Sequence, residues 1–169
     1  MDSERSPEFT IEQVDWEDPR AVELRALLDA EIRSRYSDRW NGAEAREVVE
    51  ERERARAVVT NAVAITLLAV DANGTPVGHA ALRALRDDWE VKRVVVLPGQ
   101  RGRGIAKALM AELEGTARER GITRVILQTG DRQPEAVTLY EQLGYSRIPI
   151  YEPYVTTVPF SLCFEKILG

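Results

Sequence analysis

A glycine-containing segment that follows a valine-rich run has the residue types that bind an anion. It reads Val94-Val-Val-Leu-Pro-Gly-Gln-Arg-Gly-Arg-Gly-Ile-Ala-Lys107, which predicts a buried strand, a loop and the start of a helix. Unpaired amides at a helix start, together with the helix dipole, favour negative charge. Gly102 and Gly104 have no Cβ, so an anion can approach the main chain closely. With Arg101, Arg103 and Lys107 nearby, the expected ligand is a phosphate or pyrophosphate.

The spacing within this loop excludes two common nucleotide-binding motifs. A Walker A loop requires Gly-Lys followed by Ser or Thr, and the sequence contains no such run. A dinucleotide-binding fingerprint requires Gly-x-Gly-x-x-Gly, but Lys107 stands where its third glycine would be. The loop therefore indicates a phosphate-bearing ligand of another kind.

The chain has few residues for other chemistries. Cys163 is its only cysteine and His79 its only histidine, which excludes an internal disulfide, a cysteine-rich zinc site and a two-histidine metal site. This usage favours a cytoplasmic, metal-free protein. A structural role is favoured for His79 over a substrate contact, and Cys163 is predicted to be a small buried residue.

The composition indicates an ordinary globular protein of 169 residues, with 44% hydrophobic residues and a net charge of −5. We expect residues 1–8 to form a flexible tail and residues 9–169 a single domain. The run Ala62–Val70 is too short to span a bilayer, and the N-terminus does not resemble a signal peptide. The acidic balance argues against nucleic-acid binding. Residues 91–111 nevertheless hold five basic and no acidic residues, so a basic region surrounds the glycine loop.

Hydrophobic periodicity and turn residues predict a mixed α/β domain. Strands are predicted at Phe9–Val14, Val63–Asp71, Val77–Leu85, Trp89–Leu97, Thr123–Gln128, Tyr145–Ile150 and Ser161–Ile167. Helices are predicted after Asp18-Pro19, from a capping box at Asn41 and Glu44 to about Val59, over Arg103–Arg120, and from Pro134 to a stop at Gly144.

Two segments of this pattern together resemble the GNAT superfamily of N-acetyltransferases. Arg101-Gly-Arg-Gly104-Ile-Ala106 is similar to its acetyl-CoA-binding motif, Arg/Gln-x-x-Gly-x-Gly/Ala. The run from Gln133 to Tyr145 resembles a second motif, Asn-x-x-Ala-x-x-x-Tyr-x-x-x-Gly-Phe/Tyr, with Gln133 in place of Asn. The element order also matches over residues 9–167. The resemblance implies a central, mostly antiparallel sheet of about six to seven strands, flanked by about four helices.

The resemblance also implies an activity, which is transfer of the acetyl group of acetyl-CoA to a primary amine within a ternary complex. Bacterial small-molecule acetyltransferases are the members it resembles, so a small amine is the expected acceptor and a protein N-terminus or lysine the nearest alternative. An acetyl-CoA sensor without efficient turnover and a non-enzymatic partner-binding domain are further alternatives. No metal, nucleic acid or membrane is expected to take part, and both a monomer and a homodimer stay open.

Cofactor-binding roles carry over to the matching positions. The strand is expected to present backbone groups to the pantetheine arm, at a local bulge or splay that opens a cleft. Arg101 is expected either to contact the pyrophosphate or to cap the loop. The full set of expected cofactor-binding residues is Val94, Val95, Val96, Arg101, Gly102, Arg103, Gly104, Ile105, Ala106, Lys107 and Gln133.

Tyr140 and Glu90 are the expected catalytic residues. Tyr140 matches the general-acid tyrosine of the family, which protonates the departing thiolate; the alternative is that it only fills the inner face of its helix. Glu90 lies eleven residues before Arg101, where some members have a general base. Its alternative role is an ion pair with Arg93 or Lys92.

The acceptor pocket is expected in the parts of the family that vary. These parts are the first two helices, the loop from Tyr151 to Tyr154 and the segment from Val158 to Phe160. Tyr145, Tyr151 and Tyr154 are candidates for an aromatic lining. Glu152 is a candidate contact for a cationic amine.

Overall fold

The computed structural model of the protein describes residues 8–39, 46–56 and 62–169. Seven strands form one sheet: β1 (Phe9–Gln13), β2 (Val63–Asp71), β3 (Pro76–Leu85), β4 (Asp88–Val96), β5 (Arg124–Gly130), β6 (Ser146–Ile148) and β7 (Ser161–Ile167). Five helices occur within the same ranges: α1 (Pro19–Arg35), α2 (Arg46–Arg56), α3 (Ile105–Glu119), α4 (Pro134–Gln142) and α5 (Tyr154–Thr157).

The strands lie in the order β1-β2-β3-β4-β5-β7-β6. Every neighbouring pair is antiparallel except β4 and β5, which are parallel. The prediction of a mostly antiparallel sheet of six to seven strands is therefore confirmed. The helix α5 is an addition, since only a loop was expected between the last two strands.

Most element boundaries lie within two residues of the predicted ones. Asp18 caps α1 as expected, because its carboxylate accepts a hydrogen bond from the Arg20 amide at 2.9 Å. The predicted capping box at Asn41 and Glu44, the helical extension to Val59 and nearly all of the predicted N-terminal tail lie outside the described residues.

The core packs on both faces of the sheet. On one face, α3 places Ile105, Leu109 and Leu113 at helical spacing against the buried side chains of β2, β3 and β4. On the other face, Leu24 and Leu28 of α1 pack against β2 and β4. Cover on both faces explains why β2 and β3 are hydrophobic almost throughout.

The sheet divides between its two parallel strands. β4 and β5 pair only at Glu90 with Ile126 and at Val91 with Leu127. β4 continues to Val96 and β5 to Gly130 without further pairing to each other. The two strands therefore diverge toward their carboxyl ends and leave a cleft between them.

Candidate active site

The glycine loop forms the outer end of this cleft. A 3-10 turn at Pro98–Gln100 leads into it, and Gly104 precedes α3 with φ +78°. Such a φ favours glycine. The first bond within the helix joins the Ala108 amide to the Gly104 carbonyl at 3.0 Å, so the amides before Ala108 have no acceptor within the helix. This end of α3 has the polarity and the open main chain that an anion requires.

A cavity of about 490 Å³ runs from the glycine loop along the end of β4 to α4. Its walls come from α1, β4, the loop, α3 and α4. Ten of the eleven expected cofactor-binding residues line it: Val94, Val95, Val96, Arg101, Gly102, Gly104, Ile105, Ala106, Lys107 and Gln133. Arg103 does not, because its exposed side chain turns back to donate a hydrogen bond to Gln100 Oε1 at 3.1 Å.

Arg101 joins both sides of the cavity mouth. Its Nε donates to the Val96 carbonyl at 3.2 Å, and its Nη2 lies 3.1 Å from both carboxylate oxygens of Glu31 on α1. Glu31 also accepts from Arg35 at 2.8 Å. These contacts tie Arg101 to the end of β4 and to α1, and both roles expected for it stay predictions.

A β-bulge shapes the wall that β4 contributes. The register with β3 passes from Lys92–Ala81 to Val95–His79, so Arg93 and Val94 together lie opposite Ala80. Arg93 has φ +57°, a left-handed conformation that costs a non-glycine residue roughly 1–2 kcal/mol. The local bulge and the splay expected for this strand are thus both present.

A second, smaller cavity of about 110 Å³ adjoins the first. Tyr140 lines both cavities, together with Leu28, Ile32, Val94, Gln133 and Ala136. Tyr140 is 7% exposed, and burial raises the pKa of its phenol well above the usual value. The phenol therefore stays protonated over the ordinary pH range, at a position that borders both cavities.

Glu90 lies outside the two cavities. Its carboxylate is fully buried on β4, and it is not part of the lining of either cavity. Arg83, its cross-strand partner on β3, forms an ion pair with it at 2.9 Å. The hydroxyls of Tyr151 and Tyr154 donate to it at 2.5 and 3.2 Å. Of the two ion-pair partners expected for Glu90, Lys92 lies 3.9 Å away and Arg93 pairs with Asp29 instead. The shorter ion pair with Arg83 was not expected.

Lys92 links the carboxylate of Glu90 to the smaller cavity. It is 9% exposed and belongs to the lining of that cavity. Its Nζ donates to the Tyr154 hydroxyl at 2.8 Å, and the same hydroxyl contacts Glu90. Tyr154 therefore joins the cavity to the buried carboxylate by two hydrogen bonds.

The aromatic lining differs from the expected one. Tyr145 lies outside both cavities, because its hydroxyl donates to Glu114 of α3 at 3.0 Å on the far face of the sheet. Tyr151 and Tyr154 contact Glu90 instead of lining the cavities, and Glu152 is exposed. The side chains that do supply the aromatic lining are Tyr36, Tyr140 and Phe160.

Tyr36 closes the smaller cavity at the end of α1. Its ring stacks on Phe160 at 5.2 Å, and its hydroxyl accepts from the Arg132 amide at 3.0 Å. A Cβ placed on Gly130 would lie 1.8 Å from that hydroxyl, so β5 needs glycine here. No local pattern in the sequence indicates this contact, because Tyr36 and Arg132 are 96 residues apart.

His79 is a satisfied, fully buried residue, as favoured from the sequence. It contacts Arg25 and the carbonyl of Arg93 and lines neither cavity.

Among residues 8–39, 46–56 and 62–169, no group of three metal-ligating His, Cys, Asp or Glu side chains is found. No helix in that same part of the chain combines the length and apolar character needed to cross a membrane.

A comparison with known protein families gives a match over most of the chain. The family model for the acetyltransferase (GNAT) family matches residues 24–145. The chain belongs to the GNAT acetyltransferase family. The match extends from α1 to the end of the second motif and includes Tyr140 and the whole glycine loop. The family and the acyltransferase class expected from the two motifs are therefore confirmed.

Individual GNAT proteins resemble the chain to different extents. It is 34% identical over 106 residues to an IAA acetyltransferase of Azospirillum brasilense, covering 62% of this chain and 69% of that protein. It is 32% identical over 83 residues to a streptothricin acetyltransferase of Streptomyces lavendulae, covering 48% and 44%. A crystal structure described as an acyl-CoA N-acyltransferase of Klebsiella pneumoniae has 28% identity and a TM-score of 0.73, covering 95% and 98%.

Proposed function

We propose that the protein transfers the acetyl group of acetyl-CoA to the primary amine of a small molecule. The observation that carries this proposal is the meeting of two cavities at Tyr140. The larger has the glycine loop, the start of α3 and Lys107 at one end, and the smaller is lined by the aromatic rings of Tyr36, Tyr140 and Phe160. A donor with a diphosphate suits the larger cavity, and a compact amine acceptor suits the smaller one.

Binding of the acetyl donor would depend on main-chain groups more than on side chains. The amides from Gly102 to Lys107 would hold the pyrophosphate, with the positive charge of Lys107 beside it. β4 runs on to Val96 without pairing to β5 beyond Val91, so main-chain groups on this edge would be available to an extended ligand arm that adds to β4 like a strand. The Klebsiella protein's description as an acyl-CoA enzyme supports this choice of donor.

The chain's own residues would assist transfer in two ways. As the amine nitrogen forms its bond to the acetyl carbon and the carbon–sulfur bond breaks, Tyr140 would give its proton to the departing sulfur. The amine must lose a proton in the same reaction. Glu90 stays a prediction as the acceptor of that proton. The hydrogen bonds from Lys92 to Tyr154 and from Tyr154 to Glu90 support it, because they connect the carboxylate to the lining of the smaller cavity.

A small acceptor is supported by the size and the lining of the smaller cavity. It measures about 110 Å³ and lies between α1, the diverging strands and the segment that contains Val158 and Phe160. The streptothricin acetyltransferase that the chain resembles is named for a small molecule.

The deciding experiment combines calorimetry with a panel of amines. Acetyl-CoA is titrated into the protein, and thiol release is then followed with amino acids, polyamines, aminoglycoside- and streptothricin-type compounds and N-terminal peptides. We expect binding of acetyl-CoA and thiol release above hydrolysis with at least one small amine. Release only with peptides would replace the small-molecule acceptor by a protein. Binding without release for any amine would favour the sensor, and no binding at millimolar ligand would end the proposal.

A further inference from the structure

The bulge in β4 interrupts the regular pairing with β3, so its main chain needs other contacts to hold it in place. Arg93 and Val94 share the place opposite Ala80, and Arg93 has a left-handed φ of +57°. A conformation that costs free energy persists only where its surroundings fix it. The contacts of the Arg93 main chain therefore show what maintains the bulge.

His79 on the neighbouring strand contacts this main chain directly. Its Nδ1 lies 2.7 Å from the Arg93 carbonyl oxygen, and its Nε2 lies 3.0 Å from Nη1 of Arg25. A guanidinium group only donates hydrogen bonds, so Nε2 must accept. The proton of the neutral imidazole is then on Nδ1, where it donates to the Arg93 carbonyl. The two contacts together determine the tautomer.

Arg25 is itself fixed on α1. It is 8% exposed, donates to the Trp16 carbonyl at 2.6 Å and lies 3.4 Å above the Trp16 ring. The edge of that ring also meets the imidazole of His79, with centroids 5.9 Å apart. A second link joins the same two elements, because the Arg93 guanidinium forms an ion pair with Asp29 of α1. The bulge is thus tied to the helix that lines both cavities.

We propose that His79 is a positioning residue for acetyl transfer, which holds the Arg93 carbonyl and thereby sets the direction of the Val94–Val96 peptide groups. The inference rests on the proposed function, because those peptide groups are the ones expected to meet the pantetheine arm. His79 itself touches neither cavity. Its effect is passed through the bulge to the width of the cleft between β4 and β5.

A pair of substitutions separates the two hydrogen bonds of His79. An asparagine amide reaches the place of Nδ1, so His79→Asn keeps a donor for the Arg93 carbonyl and loses the contact with Arg25. A glutamine amide reaches the place of Nε2, so His79→Gln keeps a partner for Arg25 and loses the donor to Arg93. Both variants remove the ring, so the loss of packing against Trp16 is shared by the two.

The pair is compared by the Kd for acetyl-CoA, by kcat and KM with the best amine, and by Tm. We expect His79→Asn to bind acetyl-CoA within about threefold of the original protein. His79→Gln is expected to bind about tenfold more weakly, which corresponds to about 1.4 kcal/mol, with a higher KM for acetyl-CoA and a smaller change in kcat. Equal Kd values for both variants, or changes that simply follow Tm, would overturn the proposal.

A measurement without any ligand tests the contact itself. In a long-range proton–nitrogen spectrum of the ¹⁵N-labelled protein near neutral pH, the only imidazole should show a protonated Nδ1 and a bare Nε2. A proton on Nε2 would refute the assigned role whether or not the protein binds acetyl-CoA. If the spectrum shows the expected tautomer but no acetyl-CoA binds, the proposed function fails while the hydrogen bond stands.

Discussion

At the scale of single residues, the site depends on the contrast between two buried tyrosines that lie side by side. Tyr140 and Tyr145 have their ring centroids 5.7 Å apart. The hydroxyl of Tyr145 is used in a hydrogen bond to Glu114, whereas Tyr140 lines both cavities. Their similar burial makes each a control for the other.

Replacing Tyr140 by Phe should lower kcat by about 10²-fold or more, since general acid catalysis contributes on that order. The Kd for acetyl-CoA should change by less than about twofold, because the ring and its packing are retained. The matched control is Tyr145→Phe, which removes a hydroxyl outside the cavities and should leave kcat nearly unchanged. Equal losses of kcat in the two variants would remove Tyr140 as the acid.

Replacing Glu90 by Gln should lower the free energy of unfolding by about 3–5 kcal/mol, because it leaves Arg83 buried opposite a neutral side chain. Urea unfolding measures this loss. If Glu90 is also the general base, the acid limb of the pH dependence of kcat/KM should flatten in the folded variant. A pH profile of unchanged shape would restrict Glu90 to the ion pair.

The environment of His79 predicts how stability depends on pH. Burial, which is the largest effect, and the positive charges of Arg25 and Arg93 lower the pKa of His79 from 6.5 to about 4. Between these two values the unfolded chain binds more protons at this site than the folded one. The free energy of unfolding should therefore fall as the pH drops from 6.5 to about 4.

Urea unfolding at several pH values checks this dependence, with His79→Asn as the control because it has no imidazole to titrate. The difference between the two proteins isolates His79 from the carboxylates that titrate in the same range. We expect the original protein to lose more stability on acidification than the variant. Parallel curves from pH 6.5 to 4 would contradict the assigned environment of His79.

At the scale of elements, the proposed donor site depends on the start of α3. Gly104 lies immediately before the first residue of α3 and has φ +78°. Gly121 lies just beyond the last turn of the same helix and has φ +79°. A Cβ at either position would meet no atom within 4 Å. The two glycines therefore share the same backbone strain and differ in whether they line the larger cavity.

Gly104→Ala should weaken acetyl-CoA binding about tenfold or more, because the added Cβ and the altered φ disturb the amides at the start of α3. Gly121→Ala should leave the Kd within about twofold. Both should lose about 1 kcal/mol of stability from the strained φ. Calorimetry and thermal unfolding provide the two measurements, and equal Kd values in the two variants would argue against the loop as the anion site.

Some features of these elements could be predicted from local sequence patterns, and others could not. The glycine loop and Tyr140 lie within short motifs, so local spacing located them. The ion pair of Arg83 with Glu90 had a usable signal, because counting outward from the turn at Arg86 and Asp87 places the two directly opposite. The direction of the Tyr145 hydroxyl depends on α3, which is distant in sequence, and no local pattern indicates it.

The bulge is a different case, because its conformation contradicts local preference. Arg93 has a left-handed φ in the middle of a valine-rich strand, where sequence propensity favours extended backbone. Contacts from His79, on another strand, and from Asp29, on α1, hold it there. Only the resemblance to a family suggested a bulge, and the residues that maintain it became visible with the tertiary structure.

At the scale of the whole molecule, charge is divided between the cofactor cleft and the rest of the surface. The chain has a net charge of −5, although residues 91–111 contain five basic and no acidic residues. The strand and loop that line the cleft are thus the basic part of an acidic protein. A polyanionic donor is attracted to this part and repelled by the remainder.

Acetyl-CoA binding should weaken several-fold when NaCl is raised from 50 to 500 mM, because salt screens the attraction between phosphates and the basic loop. S-acetyl-pantetheine has no phosphate and serves as the matched ligand. Its Kd should be higher at low salt and nearly independent of salt. Calorimetry with both ligands makes the comparison, and the same salt dependence for both would refute an electrostatic role of the loop.

The divergence of β4 and β5 also has a mechanical consequence. Only two residue pairs join these strands, whereas seven join β5 to β7. A stretching force applied across the sheet should therefore open this seam first and separate the block formed by β1–β4 from the block formed by β5–β7. The opening that admits a ligand and the line of least tensile strength are the same place, so an occupied cleft should resist pulling better than an empty one.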